Sequence, residues 1–246
     1  MNSRALSMGR VLLLAGGYGT RLHPITFSIP KCLVPIGDQS LLEHWFDLMF
    51  SAGAISVLVN THYLPGPVNE VCHRSPYAAR IRLVHEEQLL GTAGTLRANR
   101  AHFESGSFWL IHADNFSRFD PQAMWEAHQS RPTGCLGTMM TFMTDQPSTC
   151  GIVTLSSQGV VTDFFEKVEN PPSNLANGAV FLLEPEIFSI LDEHPDASDF
   201  CADIVPSLIG RLFTFHNEQY HRDIGSPESY RIACKDFEQW TQNASL

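Results

Sequence analysis

Positive charge is scarce in this chain. Its 246 residues include 16 lysines and arginines against 26 aspartates and glutamates, which gives a net charge of −10 at pH 7. A general affinity for nucleic acid or for anionic lipid is therefore excluded, because both depend on many cationic side chains. We expect no nucleic-acid partner and no membrane partner. Any anionic ligand must be held by a few cations placed at one site.

Closely spaced cysteines and long apolar runs are also lacking. The six cysteines lie at positions 32, 72, 135, 150, 201 and 234, and no two have the C-x-x-C spacing of zinc or redox sites. No apolar run approaches the ~18 residues that a membrane span needs. Residues 1–9 lack the apolar core of a secretion signal. These absences predict reduced thiols and a cytoplasmic location.

A glycine-rich loop follows the first apolar run, but it lacks the spacing of two well-known phosphate-binding loops. Its glycines are Gly16, Gly17 and Gly19. A dinucleotide-binding fingerprint that began at Gly17 would need a third glycine where Leu22 stands. A P-loop that began at Gly16 would need Gly-Lys where the chain has Arg21 and Leu22. Both motifs are excluded.

The same loop carries features that suit a triphosphate. Glycines let successive backbone N–H groups approach an anion without a Cβ in the way. Arg21 adds a planar guanidinium and Lys31 adds a point charge, and both groups suit phosphate oxygens. We interpret the loop as a triphosphate cradle. On the glycines alone, an ordinary turn beside two surface cations explains the pattern equally well.

Strand and helix signals alternate along the first half of the chain. Short apolar runs predict buried strands at 10–15, 55–60, 81–85 and 108–112. The intervening helices are predicted to begin near Ser40, Pro67, Thr92 and Asp120. This order is typical of a doubly wound α/β fold with a parallel sheet, and 246 residues fit one such domain. The second half predicts strands at 136–142, 151–155, 160–165 and 179–183, and helices at 185–193, 199–212 and 226–242.

Two aspartates are candidates for a metal site. Asp114 follows the strand at 108–112, and Asp223 follows a strand-like stretch. Ligands of open α/β sheets lie beyond the carboxyl ends of strands. Two carboxylates about 4 Å apart repel by about 4 kcal/mol at an effective dielectric near 20, so such a pair requires a cation, and Mg²⁺ suits carboxylates combined with phosphates. Taken singly, each aspartate is more typical of a helix cap or a turn than of a metal ligand.

The segment from Leu14 to Ile36, LAGGYGTRLHPITFSIPKCLVPI, resembles the signature of the sugar-1-phosphate nucleotidylyltransferases. Similar family blocks follow in order: Leu90–Gly94, Asp114–Asn115, Cys150–Val153, Glu166–Lys167, Asn177–Ala179 and Asp223–Glu228. The resemblance covers nearly the whole chain. It implies a Rossmann-like, mostly parallel mixed sheet in a single domain over 1–246, without a C-terminal β-helix. The nucleotide-binding half would cover about 8–130, and the sugar-binding half about 131–246.

The reaction implied by the resemblance is Mg²⁺-assisted, in-line attack of a sugar 1-phosphate on the α-phosphorus of a nucleoside triphosphate, which yields a nucleotide sugar and pyrophosphate. Arg21 would hold the pyrophosphate, Lys31 the reacting phosphates and Lys167 the sugar phosphate. Asp114 and Asp223 would bind Mg²⁺. The residues expected to contact the nucleotide are Leu14, Gly16, Gly17, Gly19, Thr20, Gly91 and Thr92, and those expected to contact the sugar are Gly151, Glu166 and Asn177.

Several questions stay open at the level of the sequence. The stretch Glu86–Gly94 resembles guanylyltransferases that act on mannose or heptose 1-phosphates, although uridylyl and cytidylyl relatives share much of the loop. A catalytically silent homologue that binds nucleotide sugars and regulates a partner enzyme is the main alternative. A homo-oligomer is compatible with the sequence. A dinucleotide-dependent oxidoreductase is disfavoured by Leu22 and Asn60.

The sequence departs from the family pattern at two positions. Ala113 stands where a glycine usually precedes the first metal aspartate, and Ser226 replaces the usual threonine. The extra methyl group at Ala113 is expected either to crowd the nucleotide or to shift the backbone. His62, His112 and His221 are scattered along the chain and do not predict a metal site.

Overall fold

A computed structural model of the protein describes residues 8–244. The strands are β1 (Arg10–Leu14), β2 (Pro35–Ile36), β3 (Gln39–Ser40), β4 (Ser56–Thr61), β5 (Ile81–His85), β6 (Phe108–His112), β7 (Asn115–Arg118), β8 (Gly137–Met143), β9 (Gly151–Leu155), β10 (Val161–Glu166), β11 (Leu175–Leu183), β12 (Leu212–His216) and β13 (Tyr220–Asp223). The helices are α1 (Leu41–Ser51), α2 (Pro65–Arg74), α3 (Gly91–Ala98), α4 (Arg100–Phe103), α5 (Pro121–Gln129), α6 (Ile187–Glu193) and α7 (Pro227–Ala244).

The main sheet is mixed, and its strand order is β10-β9-β11-β6-β1-β4-β5. Strands β6, β1, β4 and β5 are parallel to one another. The long strand β11 runs antiparallel beside β6, and β8 pairs with β11 and with β12. The expected Rossmann-like fold with a parallel centre is confirmed.

The position of β1 explains where the glycine loop lies. Strand β1 pairs with β4 on one side and with β6 on the other. The chain passes from β1 to β4 and β5 on the first side and then crosses back to β6 on the second side, so the strand order reverses at β1. The carboxyl end of such a strand opens into a crevice, which is where ligands bind in open α/β sheets. The loop that follows Leu14 therefore lies at the mouth of this crevice.

The sheet separates two apolar clusters. Val11 and Leu13 point to one face, with Trp45 and Phe46 of α1, whereas Leu12 points to the other. This alternation buries both faces of β1, which is why its sequence is a continuous apolar run. Ser40 and Glu43 form the predicted capping box, with Ser40 N donating to Glu43 Oε2 at 2.8 Å and Glu43 N donating to Ser40 Oγ at 3.3 Å.

The structure corrects two predictions in the second half. The helix expected at 199–212 is wrong: a single π turn at Phe200–Ile204 and a 3₁₀ turn at Val205–Leu208 lead into β12. Pro206 lacks the N–H that a continuing helix would need. The strand expected at 179–183 begins earlier, at Leu175, because a register shift between Asn177 and Phe181 interrupts its pattern.

A small antiparallel pair lies outside the main sheet. The sequence analysis predicts no strand at β7, and the strand-like stretch that it finds before Asp223 divides into β12 and β13. Strands β7 and β13 pair with Asp223 opposite Asn115. Each has only four residues, so neither provides a readable alternation. None of the helices within residues 8–244 is both long and apolar enough to cross a membrane. The prediction about the first nine residues falls largely on 1–7, outside the described residues.

Candidate active site

The glycine loop leaves β1 and lines a cavity of about 380 Å³. Asn60, near the end of β4, anchors the start of the loop, because its Oδ1 accepts a hydrogen bond from Ala15 N at 2.8 Å. All residues that the resemblance assigns to the nucleotide line this cavity: Leu14, Gly16, Gly17, Gly19, Thr20, Gly91 and Thr92. Arg21, Lys31 and Asp114 line it as well.

A buried carboxylate that the sequence analysis missed connects the walls of this cavity. Glu86 is only 4% exposed. Its Oε1 accepts hydrogen bonds from Asn60 Nδ2 at 3.0 Å and from the Thr95 hydroxyl, and its Oε2 accepts one from Leu90 N at 3.1 Å. Buried polar groups of this kind are retained only when such partners satisfy them. Glu86 lies beside Glu87 in the sequence, and nothing local distinguishes the buried carboxylate from its exposed neighbour.

The segment 198–200 closes the cavity opposite the glycine loop. Ser198 O accepts a hydrogen bond from Ala93 N at 2.9 Å, and Phe200 N donates to Thr92 Oγ1 at 2.6 Å. Ser198 and Asp199 line the cavity, although the sequence predicts that a helix begins there. The contact with α3 is so close that a Cβ at Gly91 would lie 2.4 Å from Ser198 O.

Replacement of Gly91 with alanine should therefore disturb both stability and nucleotide binding. Gly91 has a φ of +75°, which costs an L-residue about 1–2 kcal/mol, and the backbone carbonyl of Ser198 would also have to move. We expect the free energy of unfolding to fall by about 2 kcal/mol and, for the triphosphate that the resemblance assigns to this cavity, the KM to rise. Denaturant unfolding and steady-state kinetics measure the two effects.

Gly66→Ala provides the control for this substitution. Gly66 lies in α2, and a methyl group added there would point into open space, so alanine should be neutral or slightly stabilising. A Gly91→Ala variant that matched Gly66→Ala in both measurements would show that the contact with residue 198 does not constrain the cavity.

Three charged side chains meet where β6 and β13 end. Lys31 Nζ lies 2.7 Å from Asp114 Oδ2 and 3.2 Å from Asp223 Oδ1. The pairing of β13 with β7 brings the two aspartates together, because it sets Asp223 opposite Asn115, the residue after Asp114. Lys31 is 7% exposed, whereas the side chains of both aspartates are 37% exposed.

The electrostatics of this cluster favour its ionised form. Burial opposes charge on Lys31, but the two carboxylates outweigh burial and raise the pKa of the ammonium group. Burial likewise works against the ionised form of Asp114, and the Lys31 ammonium overrides it and holds the pKa of this carboxyl below its usual range. Two carboxylates within contact of one cation are a set of oxygen ligands that fits Mg²⁺ when phosphates and water supply the remainder.

Arg21 lies at the rim of the same cluster. Its Nη2 is 3.5 Å from Asp223 Oδ2, and its side chain is 65% exposed. This guanidinium lines both the first cavity and a second one of about 240 Å³. It is therefore free to turn toward an anionic ligand at the junction of the two cavities.

The second cavity contains the residues that the resemblance assigns to the sugar. Those that line it are Gly151, Glu166, Lys167 and Asn177, together with Asp114 and Asp223. Lys167 Nζ lies 2.9 Å from Glu166 Oε1, and this hydrogen-bonded contact raises the pKa of the ammonium group. Asn177 Nδ2 donates to Cys201 Sγ at 3.3 Å, and its Oδ1 accepts from Ala179 N at 2.8 Å. The two cavities share Arg21, Thr92, His112, Asp114 and Asp199, so they adjoin.

Two of the three histidines that look scattered in the sequence line the same cavity. His112 and His221 both line the second cavity, and His221 contacts Ser117 Oγ at 3.2 Å through Nδ1. Burial lowers the pKa of His221 to about 3, so its ring is neutral. His62 lies elsewhere and hydrogen-bonds Tyr18. Within residues 8–244, no group of three or more His, Cys, Asp or Glu side chains could hold a metal ion by itself.

Ala113 does not crowd either cavity. The residue is fully buried and packs in the apolar cluster that contains Val59, Met140 and Val180. Its backbone N donates to Leu14 O at 3.1 Å. The methyl group that replaces the usual glycine hydrogen therefore points into the core rather than toward a nucleotide.

The sequence profile of the nucleotidyl transferase family matches residues 10–239. The chain belongs to this family. Similar curated proteins include mannose-1-phosphate guanyltransferase 2 of Candida glabrata, which is 27% identical over 227 residues, or 89% of this chain and 62% of that protein. The mannose-1-phosphate guanyltransferase of Schizosaccharomyces pombe is 28% identical over 232 residues, or 90% of this chain and 62% of that protein. The chain thus spans less than two thirds of the length of these relatives.

Solved structures share the fold of this chain. HddC from Yersinia pseudotuberculosis superposes with a TM-score of 0.77 at 23% identity, covering 93% of this chain and 99% of that one. A UDP-glucose pyrophosphorylase complexed with UDP-glucose also gives a TM-score of 0.77 at 23% identity, covering 94% and 98%. At this level of identity, the similarity establishes the architecture of the sheet and its helices.

Proposed function

We propose that this nucleotidyl transferase joins a nucleoside monophosphate unit to a sugar 1-phosphate and releases pyrophosphate. The observation that carries the proposal is the meeting of two adjoining cavities at one charged cluster. The first cavity has the glycine loop along its wall, and the second has Glu166, Lys167 and Asn177. Lys31, Asp114 and Asp223 lie between them, where a sugar phosphate would approach the α-phosphorus.

The residues on the nucleotide side position and neutralise the triphosphate. The backbone N–H groups of the glycine loop and the Arg21 guanidinium bind the departing pyrophosphate, while Lys31 binds the reacting phosphates. The nucleophile is already an anion, so no general base is needed. Catalysis rests on holding the attacking oxygen in line with the leaving group and on offsetting the charge that keeps the two substrates apart.

Asp114 and Asp223 are the proposed ligands of Mg²⁺. Their carboxylates already contact a single cation, the Lys31 ammonium, at 2.7 and 3.2 Å, which supports their use as a pair. When bound, Mg²⁺ supplies charge neutralisation for the phosphate oxygens. The protein contributes two carboxylates, and this number matches the preference of Mg²⁺ for sites completed by phosphates and water.

The residues on the sugar side hold the acceptor. Lys167 binds its phosphate, and Glu166 and Asn177 pair with its hydroxyl groups. A site that pairs carboxylate and amide groups with hydroxyls discriminates strongly, because a sugar that lacks one hydroxyl leaves a buried polar group unsatisfied. The contact between Lys167 and Glu166 fixes both side chains at the cavity wall.

GTP and a mannose- or heptose-type sugar 1-phosphate are the proposed substrates. The names of the Candida glabrata and Schizosaccharomyces pombe relatives support this choice, since both are mannose-1-phosphate guanyltransferases. A uridylyl- or cytidylyltransferase on another sugar is the alternative within the same chemistry. A catalytically silent, nucleotide-sugar-binding homologue is the alternative outside it.

A substrate matrix tests the proposal. The protein is incubated with Mg²⁺, each of GTP, ATP, UTP, CTP and dTTP, and a panel of sugar 1-phosphates, and pyrophosphate release is measured. We expect release to be greatest with GTP and a mannose- or heptose-type acceptor. Pyrophosphate release that is greatest with another pair of substrates would correct the proposed substrates and support the proposed reaction. If no pair of substrates releases pyrophosphate and the protein binds a nucleotide sugar tightly, the proposed transferase activity is wrong and the catalytically silent homologue is the better hypothesis.

Gly151→Ala tests the proposed sugar side on its own. A Cβ at this position would lie 2.5 Å from Phe164 Cζ and 2.6 Å from Glu166 Oε2, so the Glu166 carboxylate would have to move. We expect the KM for the sugar 1-phosphate to rise by roughly 10-fold, the scale of one methyl group in a fitted pocket. The KM for the triphosphate, measured on the same variant, should stay unchanged. A rise in both constants would mean that the substitution disturbs the whole site.

A further inference from the structure

Lys31 occupies the place of a cation between the two proposed metal ligands. Its Nζ contacts Asp114 Oδ2 at 2.7 Å and Asp223 Oδ1 at 3.2 Å. No other side chain within residues 8–244 forms an ion pair with both carboxylates. Arg21 contacts only Asp223, at the longer distance of 3.5 Å, and is mostly exposed. The ammonium group is therefore the cation that bridges the pair.

The surrounding backbone fixes this cluster from both sides. Lys31 begins a 3₁₀ turn in which Val34 N donates to Lys31 O at 3.2 Å, and the next residue, Cys32, is buried in the core. The two aspartates are held by the pairing of β7 with β13. A divalent cation that used the same two oxygens, Asp114 Oδ2 and Asp223 Oδ1, would therefore have to displace the ammonium group.

We propose that Lys31 is the resident counter-ion of the carboxylate pair in the nucleotide-free protein and that a divalent cation enters only when Lys31 leaves. The triphosphate provides the alternative anionic partner for the displaced ammonium group. Nucleotide and metal therefore bind cooperatively, and the free protein has little affinity for the metal alone. This inference rests on the proposed function only in using the same carboxylates and the same nucleotide cavity.

Thermodynamic linkage gives the coupling a measurable sign. If the triphosphate draws Lys31 away from the carboxylates, it raises the affinity for the metal, and the metal must raise the affinity for the triphosphate by the same factor. A variant without the ammonium group has nothing to displace. Its carboxylates should take a divalent cation directly, without any nucleotide.

Binding of Mn²⁺ alone, followed by electron paramagnetic resonance, tests the proposal. We expect Lys31→Met to bind Mn²⁺ at least about 10-fold more tightly than the unsubstituted protein, within the usual range of coupling between sites. Lys31→Met/Asp114→Asn should lose this gain, because only one carboxylate remains. Lys235→Met, the same change at an exposed lysine of α7, should leave Mn²⁺ binding unchanged.

Thermal unfolding gives an independent measurement on the same proteins. Without metal, Lys31→Met should unfold at a lower temperature than the unsubstituted protein, because two carboxylates then face each other uncompensated. Added Mn²⁺ should raise the midpoint of Lys31→Met more than that of the unsubstituted protein. Lys31→Gln, which keeps a donor for one carboxylate, serves if Lys31→Met does not fold, and it should show the same preference for Mn²⁺.

Equal binding of Mn²⁺ by the unsubstituted protein and by both Lys31 variants would overturn the inference. That result would leave the transferase reaction intact, since pyrophosphate release is measured separately. Conversely, the Lys31 variants could gain Mn²⁺ affinity while the unsubstituted protein releases no pyrophosphate with any substrate. That result would support the exchange of lysine for metal and contradict the proposed function.

Discussion

Replacing Lys31 with alanine is expected to lower turnover by roughly 10²–10³, the usual effect of removing one preorganised group that stabilises a transition state. Lys31 is buried at the wall of the first cavity, so once its ammonium group turns to the reacting phosphates no water molecule can reproduce its charge there. The loss should appear in kcat for pyrophosphate release at saturating concentrations of both substrates.

Two comparisons make this expectation specific. Lys235→Ala removes an exposed lysine of α7 and should retain full activity. Nucleotide binding by Lys31→Ala, measured by calorimetry with Mg²⁺ present, should weaken much less than turnover, because the glycine loop and Arg21 remain. If Lys31→Ala keeps turnover within a few-fold of the unsubstituted protein, Lys31 has no part in the reaction.

Arg21→Ala is expected to lower turnover to a similar extent, roughly 10²–10³, for a different reason. Its guanidinium is exposed at the junction of the two cavities and makes one long contact with Asp223. It contributes little to the stability of the free protein, because exposed ion pairs rarely do. Its effect should therefore fall on kcat, with the midpoint of thermal unfolding unchanged.

The matched control for Arg21 is Arg74. Arg74 is similarly exposed, pairs with Glu70 at 4.0 Å within α2, and lines neither of the two cavities, so Arg74→Ala should leave turnover unchanged. Arg21→Lys should give an intermediate loss, since lysine keeps the charge but not the planar pair of donors that suits pyrophosphate. Full activity of Arg21→Lys would mean that charge alone is required there.

The features that the sequence predicts well are those that local signals encode. Strand β1 is a continuous apolar run, α1 begins with a capping box, and the glycine loop directly follows β1. The order of these elements determines the parallel centre of the sheet, and the sheet then determines where the loop lies. For this reason every residue assigned to the nucleotide or the sugar lines one of two adjoining cavities.

The features that the sequence analysis missed depend on contacts between distant segments. Glu86 is buried only because Asn60, Leu90 and Thr95 converge on it. The 198–200 segment closes the nucleotide cavity through bonds to α3, and no local pattern indicates such a contact. The sequence analysis also did not predict that His112 and His221 line one cavity, because these residues are far apart in the chain and only the fold brings them there.

The pairing of β7 with β13 also sets the order in which the site can be completed during synthesis. The glycine loop and Asp114 belong to the first half of the chain, but Asp223 arrives only with a strand near its far end. Helix α7 then covers this pair, with Trp240 against Tyr220 and Phe116. Translation must therefore pass position 223 before the second carboxylate can take its place beside the first. A product that stopped between the two aspartates would contain the glycine loop and Asp114 but would lack the pairing that brings the two carboxylates together.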